Sequence, residues 1–203
     1  MEKQTLRWTV RDLVYIGLFG ALWGAMEMTL GDVLHAIRLP FSGTVLTALG
    51  IAIALVGRRF IPKRGSVFMI ALVAGLLKFL SPSGMSVLRV FISIVIEGTI
   101  AEAVVNLLPP RRATWLLADA LATLWTLFHP VLISGLLLGA GAVEMFVVTV
   151  ERGARTLGMS PDSVIVVLAL VALINLAVGA LGGWLSWEVG GIVEQRLHPA
   201  EED

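Results

Sequence analysis

The stretch Ser163–Trp187 reads SVIVVLALVALINLAVGALGGWLSW and contains no charged side chain. A helix that spans a bilayer needs about 20 mostly apolar residues, so this stretch predicts a transmembrane helix. Of the 203 residues in the chain, 57% are apolar and 15% are charged, and the mean hydropathy is +0.90. Because soluble domains carry about 25% charged residues, the composition excludes a soluble globular domain and a disordered chain.

Five further apolar stretches precede this one, and polar turns containing proline, glycine or arginine separate several of them. We predict an all-α, polytopic membrane protein, a bundle of six transmembrane helices that forms one integral membrane domain over residues 1–203. The mixed segment 143–162 interrupts the pattern, and we expect it to extend the fifth helix or to form a surface helix on the outer side. The five other predicted spans are Leu13–Leu30, Ser42–Val56, Ser66–Leu80, Met85–Leu108 and Ala113–Leu138.

The distribution of Lys and Arg predicts the orientation. With six spans, ten of the 15 basic residues lie on the side of the two termini and three lie on the opposite side. Cytoplasmic loops carry the excess of Lys and Arg, so both termini are expected in the cytoplasm. The 15 basic and 15 acidic residues cancel overall, which gives no field that would attract nucleic acid. We expect the lipid bilayer, and not nucleic acid, to be the partner of this apolar chain.

Small residues form one face of the first helix. They recur at positions i, i+3, i+4, i+7 and i+8 of a helix, which places them on one side. Small side chains let another helix backbone approach closely in lipid. Two interpretations stay open: packing inside the bundle, or a face offered to a partner subunit. The residues of this small-residue stripe are Gly17, Gly20, Ala21, Gly24 and Ala25.

Four ionisable side chains are predicted in the outer half of the membrane. Such groups normally pair, face the interior or line a watery site, and apolar walls with a few polar groups are typical of ligand pockets. Lys78 and Arg89 can instead reach the outer headgroups, and His129 can fill the hydrogen-bond gap left by Pro130. The predicted ligand contacts are Glu27, Lys78, Arg89 and His129, with Trp23 and Trp125 as stacking surfaces.

The charge balance of these contacts predicts a ligand chemistry. Pairing Glu27 with Lys78 or Arg89 leaves one cation and a histidine over, which suits an anionic or carbonyl-bearing ligand. Deeper in the membrane, Glu97, Glu102, Asn106 and Asp119 have no basic residue at matching depth. We expect them to form hydrogen bonds between the fourth and fifth helices, and a proton relay is the alternative.

Motifs for catalysis are missing. The chain contains no phosphate-binding glycine loop, no His-Glu-x-x-His pair and no Gly-x-Ser-x-Gly turn. It also has no cysteine, which excludes disulfides and thiolate chemistry. We predict no enzyme activity, no catalytic residues, no metal site and no cofactor.

The chain resembles the substrate-binding S components of energy-coupling factor (ECF) vitamin transporters. One shared feature is six helices in about 200 residues with both ends inside. Another is the start of the first helix, Arg11-Asp12-Leu13, which leads to Ala21-x-x-x-Ala25. A third is the run through Ile61-Pro62-Lys63-Arg64-Gly65-Ser66, followed by Ile96-Glu97-Gly98-x-x-Ala101-Glu102, which is similar to the thiamine-type members.

The resemblance implies a subunit of a prokaryotic plasma membrane that captures a small water-soluble vitamin or precursor on its outer side. It implies partners too: a membrane coupling subunit, contacted through the small residues of the first helix, and two cytoplasmic ATPases. In this family the loaded subunit topples within the membrane. Two other functions stay open, an intramembrane enzyme acting on a lipid or isoprenoid, and an assembly subunit without a ligand.

Overall fold

A computed structural model describes residues 7–37, 39–80, 86–138, 141–160 and 163–197, and these ranges are helical apart from short turns. Five of the helices are long and apolar enough to cross a membrane, and the helix after residue 65 is shorter. The prediction of an all-helical, multi-pass membrane protein is confirmed. The helices are α1 (Val10–Ala36), α2 (Ser42–Phe60), α3 (Ser66–Leu77, followed by a 3₁₀ turn, Lys78–Leu80), α4 (Ser86–Leu107), α5 (Arg112–Leu138), α6 (Ala142–Leu157) and α7 (Val164–Leu197).

Most of the helices extend past the predicted apolar spans. The second continues through Arg58 and Arg59 to Phe60, and the last continues through a polar segment to Leu197. Apolar residues mark only the part of a helix that lies in hydrocarbon, whereas backbone hydrogen bonding continues until a breaking residue. In α2 that residue is Pro62, which follows the helix by two positions.

Helix α6 is a separate element between α5 and α7. Its buried side consists of Val150 and Ala154, while Glu144 and Glu151 are exposed. Gly158 ends the helix with φ of 65°, a left-handed conformation that glycine adopts without strain. Its amphipathic pattern is typical of a helix that lies on a surface.

Glycines bring α5 and α7 into close contact. A Cβ atom on Gly179 would lie 2.7 Å from the Cα of Ala120, and one on Gly183 would lie 2.7 Å from the Cα of Leu116. Both distances are shorter than any real carbon contact, so only glycine permits this approach. The two backbones therefore pack directly, as small residues allow in membrane helices.

Ion pairs gather several helix ends at one end of the bundle. Lys63 Nζ lies 2.5 Å from Asp12 Oδ2, which joins the α2–α3 turn to the start of α1. Arg59 pairs with Glu194 at 3.2 Å and Arg112 pairs with Glu188 at 2.9 Å, so the starts of α1 and α5 and the end of α7 meet here. We call this the basic end, defined by Arg58, Arg59, Lys63, Arg64, Arg111 and Arg112.

Candidate ligand-binding site

A cavity of about 610 Å³ opens at the end of the bundle opposite the basic end. Its volume falls within the range of about 300–1,000 Å³ that small-molecule sites occupy. Six helices and the α1–α2 turn enclose it. The polar lining residues are Glu27 of α1, Ser42, Thr44 and Thr47 of α2, Ser93 and Glu97 of α4, Thr126 and His129 of α5, Thr149, Arg152 and Thr156 of α6, and Asn175 of α7.

Helix α6 forms one wall of this cavity. Thr149, Arg152, Gly153 and Thr156 line it at positions i, i+3, i+4 and i+7, which share one helical face. Gly153 sits so close to α7 that an added Cβ atom would be 3.0 Å from Val167 Cγ1. The amphipathic pattern of α6 thus gives the cavity a polar wall while the opposite side of the same helix faces outward.

Two buried carboxylates point at the cavity from different helices. Glu27 is 8% exposed, and its Oε2 atom lies 3.9 Å from Lys78 Nζ. Glu97 is 3% exposed and accepts a hydrogen bond of 2.7 Å from Ser93 Oγ, one turn earlier on α4. Within the described part of the chain, none of the ion pairs involves Glu97.

Asn175 connects three helices at the base of the cavity. Its Oδ1 atom accepts hydrogen bonds from Thr44 Oγ1 at 2.8 Å and from Thr126 Oγ1 at 2.6 Å. Its Nδ2 atom donates to the carbonyl of Val171 at 2.8 Å. The side chain is 2% exposed, and a buried amide with satisfied hydrogen bonds holds its neighbours in fixed positions.

The turn into α2 contributes a strained residue to the cavity. Phe41 has φ of 59° and ψ of 24° directly before the helix, and it lines the cavity. A bulky residue in the left-handed region costs about 1–3 kcal/mol and persists only where the surrounding structure holds it. Such strain concentrates at ligand sites and switch regions.

The structure separates the four predicted charged contacts. Glu27 and His129 line the cavity, whereas Lys78 and Arg89 do not. Lys78 donates to the carbonyl of Glu27 at 3.3 Å as well as pairing with its carboxylate. His129 Nε2 donates to the carbonyl of Arg89 at 3.3 Å, so the imidazole joins α5 to α4 and does not fill the gap before Pro130.

The two predicted tryptophans do not line this cavity. Trp23 is fully buried in the core, where its indole ring covers Gly50 of α2. Trp125 packs edge-on against the His129 ring, with centroids 6.5 Å apart. Their depth in the membrane does not decide whether they line the cavity. The direction in which a side chain leaves its helix decides which neighbour it contacts.

The deep polar residues pair differently from the prediction. Glu102 lies 3.6 Å from Arg58 Nη1 and accepts hydrogen bonds from the backbone N–H groups of Gly65 and Val67. It therefore caps the start of α3, where unpaired N–H groups favour an acid. The expectation of no basic partner and of α4–α5 bridging is wrong for this residue, because the long Arg58 side chain reaches it from the end of α2.

The remaining members of that deep set bond to their own helix or to Arg58. Asn106 accepts a hydrogen bond of 2.8 Å from Arg58 Nη2. Asp119 is fully buried and accepts a hydrogen bond of 3.1 Å from Thr123 of its own helix, facing Gly182 of α7. Of the deep carboxylates, Glu97 is the one that lines the cavity.

The sequence carries a signal for four cavity residues that have no charge. Thr44, Thr47, Thr126 and Asn175 interrupt otherwise apolar helices, and polar residues within membrane spans normally face the bundle interior or a cavity. Uncharged polar residues in the spans are therefore candidates for the cavity lining, as charged ones are. The α6 wall has no such signal, since amphipathic helices are common at membrane surfaces.

The small-residue stripe of α1 divides into two parts. Gly20 and Gly24 are buried against α3, and Cβ atoms on them would lie 2.6 Å from Val73 Cβ and 3.0 Å from Leu77 Cδ1. Ala21 and Ala25 are exposed, and a Cβ atom on Gly17 would meet nothing within 4 Å. Internal packing accounts for Gly20 and Gly24, and the other three residues remain open to a partner.

Comparisons with protein-family models, with curated proteins and with solved structures gave no match to this chain.

Proposed function

We propose that the protein is the substrate-capture subunit, or S component, of an ECF-type transporter, binding a small water-soluble vitamin or precursor. The observation that carries the proposal is the polar cavity of about 610 Å³ at the end of the bundle opposite the basic end. Excess Lys and Arg mark the cytoplasmic side of membrane proteins. A cavity at the other end is then open to nutrients outside the cell.

The proposed topology has six spans with both termini in the cytoplasm. The spans are α1 to α5 and α7, and α6 lies at the outer surface. Helix α3 has 12 residues, so it rises about 18 Å against a hydrocarbon thickness of ~30 Å. Its residues Val67, Ile70 and Ala74 are fully buried, so protein neighbours cover one face of this short helix.

The proposed partners are a membrane coupling subunit and two cytoplasmic ATPases in a prokaryotic plasma membrane. The exposed residues of α1, Ala21 and Ala25, lie beside the exposed Leu18 and Leu22. This surface combines small and large apolar side chains, and such surfaces support close helix association in lipid. ATP hydrolysis is assigned to the partners, which would drive release of the bound molecule.

An intramembrane enzyme is the second candidate, and one observation favours it. Glu27 and Glu97 line the same cavity, and paired carboxylates perform general acid–base chemistry. An enzyme would convert the bound molecule on incubation, whereas a capture subunit would return it unchanged. An assembly subunit without a ligand would retain no molecule at all.

Native mass spectrometry of the purified protein tests the proposal. We expect one bound small molecule per chain, released unchanged. Thr126→Val and Thr156→Val keep the side-chain shape but remove an oxygen from the cavity, and we expect about a threefold to tenfold loss of affinity for that molecule. Thr99→Val is the matched control, because Thr99 is exposed on α4 and bonds its own helix. Absence of any bound vitamin-class molecule, or equal affinity in all three variants, contradicts the proposal.

A further inference from the structure

Helix α6 has three sides of different chemistry, each defined by residues whose spacing places them on one face of a helix. One side is the polar wall of the cavity. The second side is charged and exposed, and its members recur at i, i+7 and i+11: Glu144, Glu151 and Arg155. The third side is apolar, and its members recur at i, i+3, i+4, i+7 and i+11: Val143, Phe146, Val147, Val150 and Ala154. The cavity and water account for two sides, and the third needs an apolar neighbour.

Protein covers only the second half of the apolar side. Val150 and Ala154 are buried, and Ala154 belongs to a cluster with residues of α7. In the first half of the helix, Val143 is 77% exposed, Phe146 40% and Val147 47%. Contiguous exposed apolar side chains mark a surface that contacts another protein or a membrane.

The contact with α7 fixes the depth of α6. An added Cβ atom on Gly153 would lie 3.0 Å from Val167 Cγ1 and 3.2 Å from Val171 Cγ2. Both valines belong to the uncharged stretch Ser163–Trp187 and to a candidate membrane span. Ile165 precedes them on α7 and is 83% exposed, so α7 presents apolar side chains beyond the level at which α6 crosses it. Helix α6 therefore meets α7 within the apolar part of the span.

The chain connection keeps the first half of α6 at the same boundary. Residues 139–141 alone separate Leu138, which ends α5, from Ala142, which begins α6. Three residues reach at most about 11 Å, and α5 is itself a candidate span. The exposed apolar residues of α6 thus lie close to the end of a membrane helix, where acyl chains are the apolar surroundings.

We propose that the first half of α6 inserts Val143, Phe146 and Val147 into the lipid leaflet at the cavity end, and that this contact holds the cavity wall in place. The partner is the hydrocarbon of the acyl chains, while the charged side stays in water, as in amphipathic helices of the membrane interface. Because the polar wall is a third side of the same helix, the depth of insertion sets its position over the cavity. The proposal applies equally to a capture subunit, an enzyme or an assembly subunit, so it goes beyond the proposed function and does not depend on it.

Spin labels in the naturally cysteine-free chain test the insertion. Phe146→Cys on the apolar side and Glu151→Cys on the charged side form a matched pair, since both residues are exposed on α6. Each full-length variant carries a nitroxide in nanodiscs, and its collisions with oxygen, which concentrates in lipid, are compared with those of a nickel chelate, which stays in water. We expect the label at 146 to favour oxygen, as a label in Leu181→Cys on α7 does, and the label at 151 to favour the chelate.

A thiol inside the cavity tests the effect on the wall. Ser93 lines the cavity and is 8% exposed, so the thiol of Ser93→Cys reports the access of a water-soluble maleimide. Adding Phe146→Ser and Val147→Ser should raise its labelling rate about tenfold or more, because the burial of one large apolar side chain is worth at least that factor in an equilibrium constant. Phe146→Leu stays apolar and should keep the slow rate. Val189→Ser on α7 is the control, because Val189 is 46% exposed and lies near the basic end.

Two results overturn the proposal. One is a label at 146 that favours the nickel chelate as the label at 151 does. The other is an unchanged labelling rate of the cavity thiol when Phe146 and Val147 are both serine. If that double variant folds poorly, Phe146→Ser alone replaces it, and the paired spin labels decide the insertion independently because each is a single change at an exposed position.

Discussion

Gly50 shows how a single residue sets the packing of α2 against α1. A Cβ atom at this position would overlap the indole ring of Trp23, which is fully buried. The tryptophan therefore occupies the space that a glycine leaves open. The indole ring of Trp23, which the sequence suggested as a stacking surface for a ligand, packs on Gly50 instead.

At this residue scale we predict that Gly50→Ala destabilises the protein. Overpacking a filled core costs about 1–3 kcal/mol, so the melting temperature in detergent should fall by several degrees. Gly17→Ala is the matched control in α1, where nothing lies within 4 Å of an added Cβ atom. It should melt at the parent temperature or slightly above, since alanine favours helix by about 1 kcal/mol over glycine. Equal melting of the two variants would argue against this packing.

At the scale of one element, α1 has two different small-residue faces. Gly20 and Gly24 accept the side chains of Val73 and Leu77 from α3. Ala21 and Ala25, one position further along, are exposed. A rotation of about 100° between neighbouring residues moves a position from the interior to the outer surface.

We predict that these two faces respond differently to enlargement. Ala21→Trp or Ala25→Trp should reduce co-purification of the proposed coupling subunit and ATPases from native membranes, with ligand binding intact. Gly24→Leu should instead reduce the amount of folded protein and its melting temperature, because it displaces α3. Leu181→Trp on α7, which is 60% exposed, is the control for a bulky change at a lipid-facing position. Full complex recovery with the Ala21 and Ala25 variants would remove α1 as the partner face.

At the scale of the whole molecule, the long helices run between the basic end and the end that holds the cavity. The ion pair of Lys63 with Asp12 and that of Arg59 with Glu194 tie α1, α2 and α7 together at the basic end. The cavity at the other end includes the first half of α4 and the second half of α5 in its lining. The charge asymmetry and the cavity therefore lie at opposite poles of one bundle.

The topology can be tested with the naturally cysteine-free chain. Arg64→Cys and Arg152→Cys form a matched pair, since both residues are exposed arginines outside the six proposed spans. We expect a membrane-impermeant thiol reagent to label the residue-152 variant on intact cells. The residue-64 variant should react only after permeabilisation. The opposite pattern would place the cavity on the cytoplasmic side and remove the basis for nutrient capture from outside.

The class of this protein is determined by sequence alone. Apolar runs such as Ser163–Trp187 can fold in lipid only with every backbone group bonded internally, and a helix achieves this without a partner. A single segment of the sequence is therefore enough to predict that a helix forms. The same holds for the breaks near Pro62 and Pro109. The charged residues in the spans are local information as well, because their cost in lipid makes them conspicuous.

Contacts around the helices were decided only by tertiary structure. Trp23, Lys78 and Arg89 have suitable depth for the predicted pocket but do not line the cavity. Trp23 turns toward Gly50 and Lys78 toward Glu27. Glu97 and Asn175 turn into the cavity. The depth of a side chain in the membrane follows from its position along the helix. The neighbour that the side chain contacts depends on how the helix is rotated about its axis in the bundle. That rotation is set by non-local packing, such as the glycine contacts between α5 and α7, which no single segment of the sequence encodes.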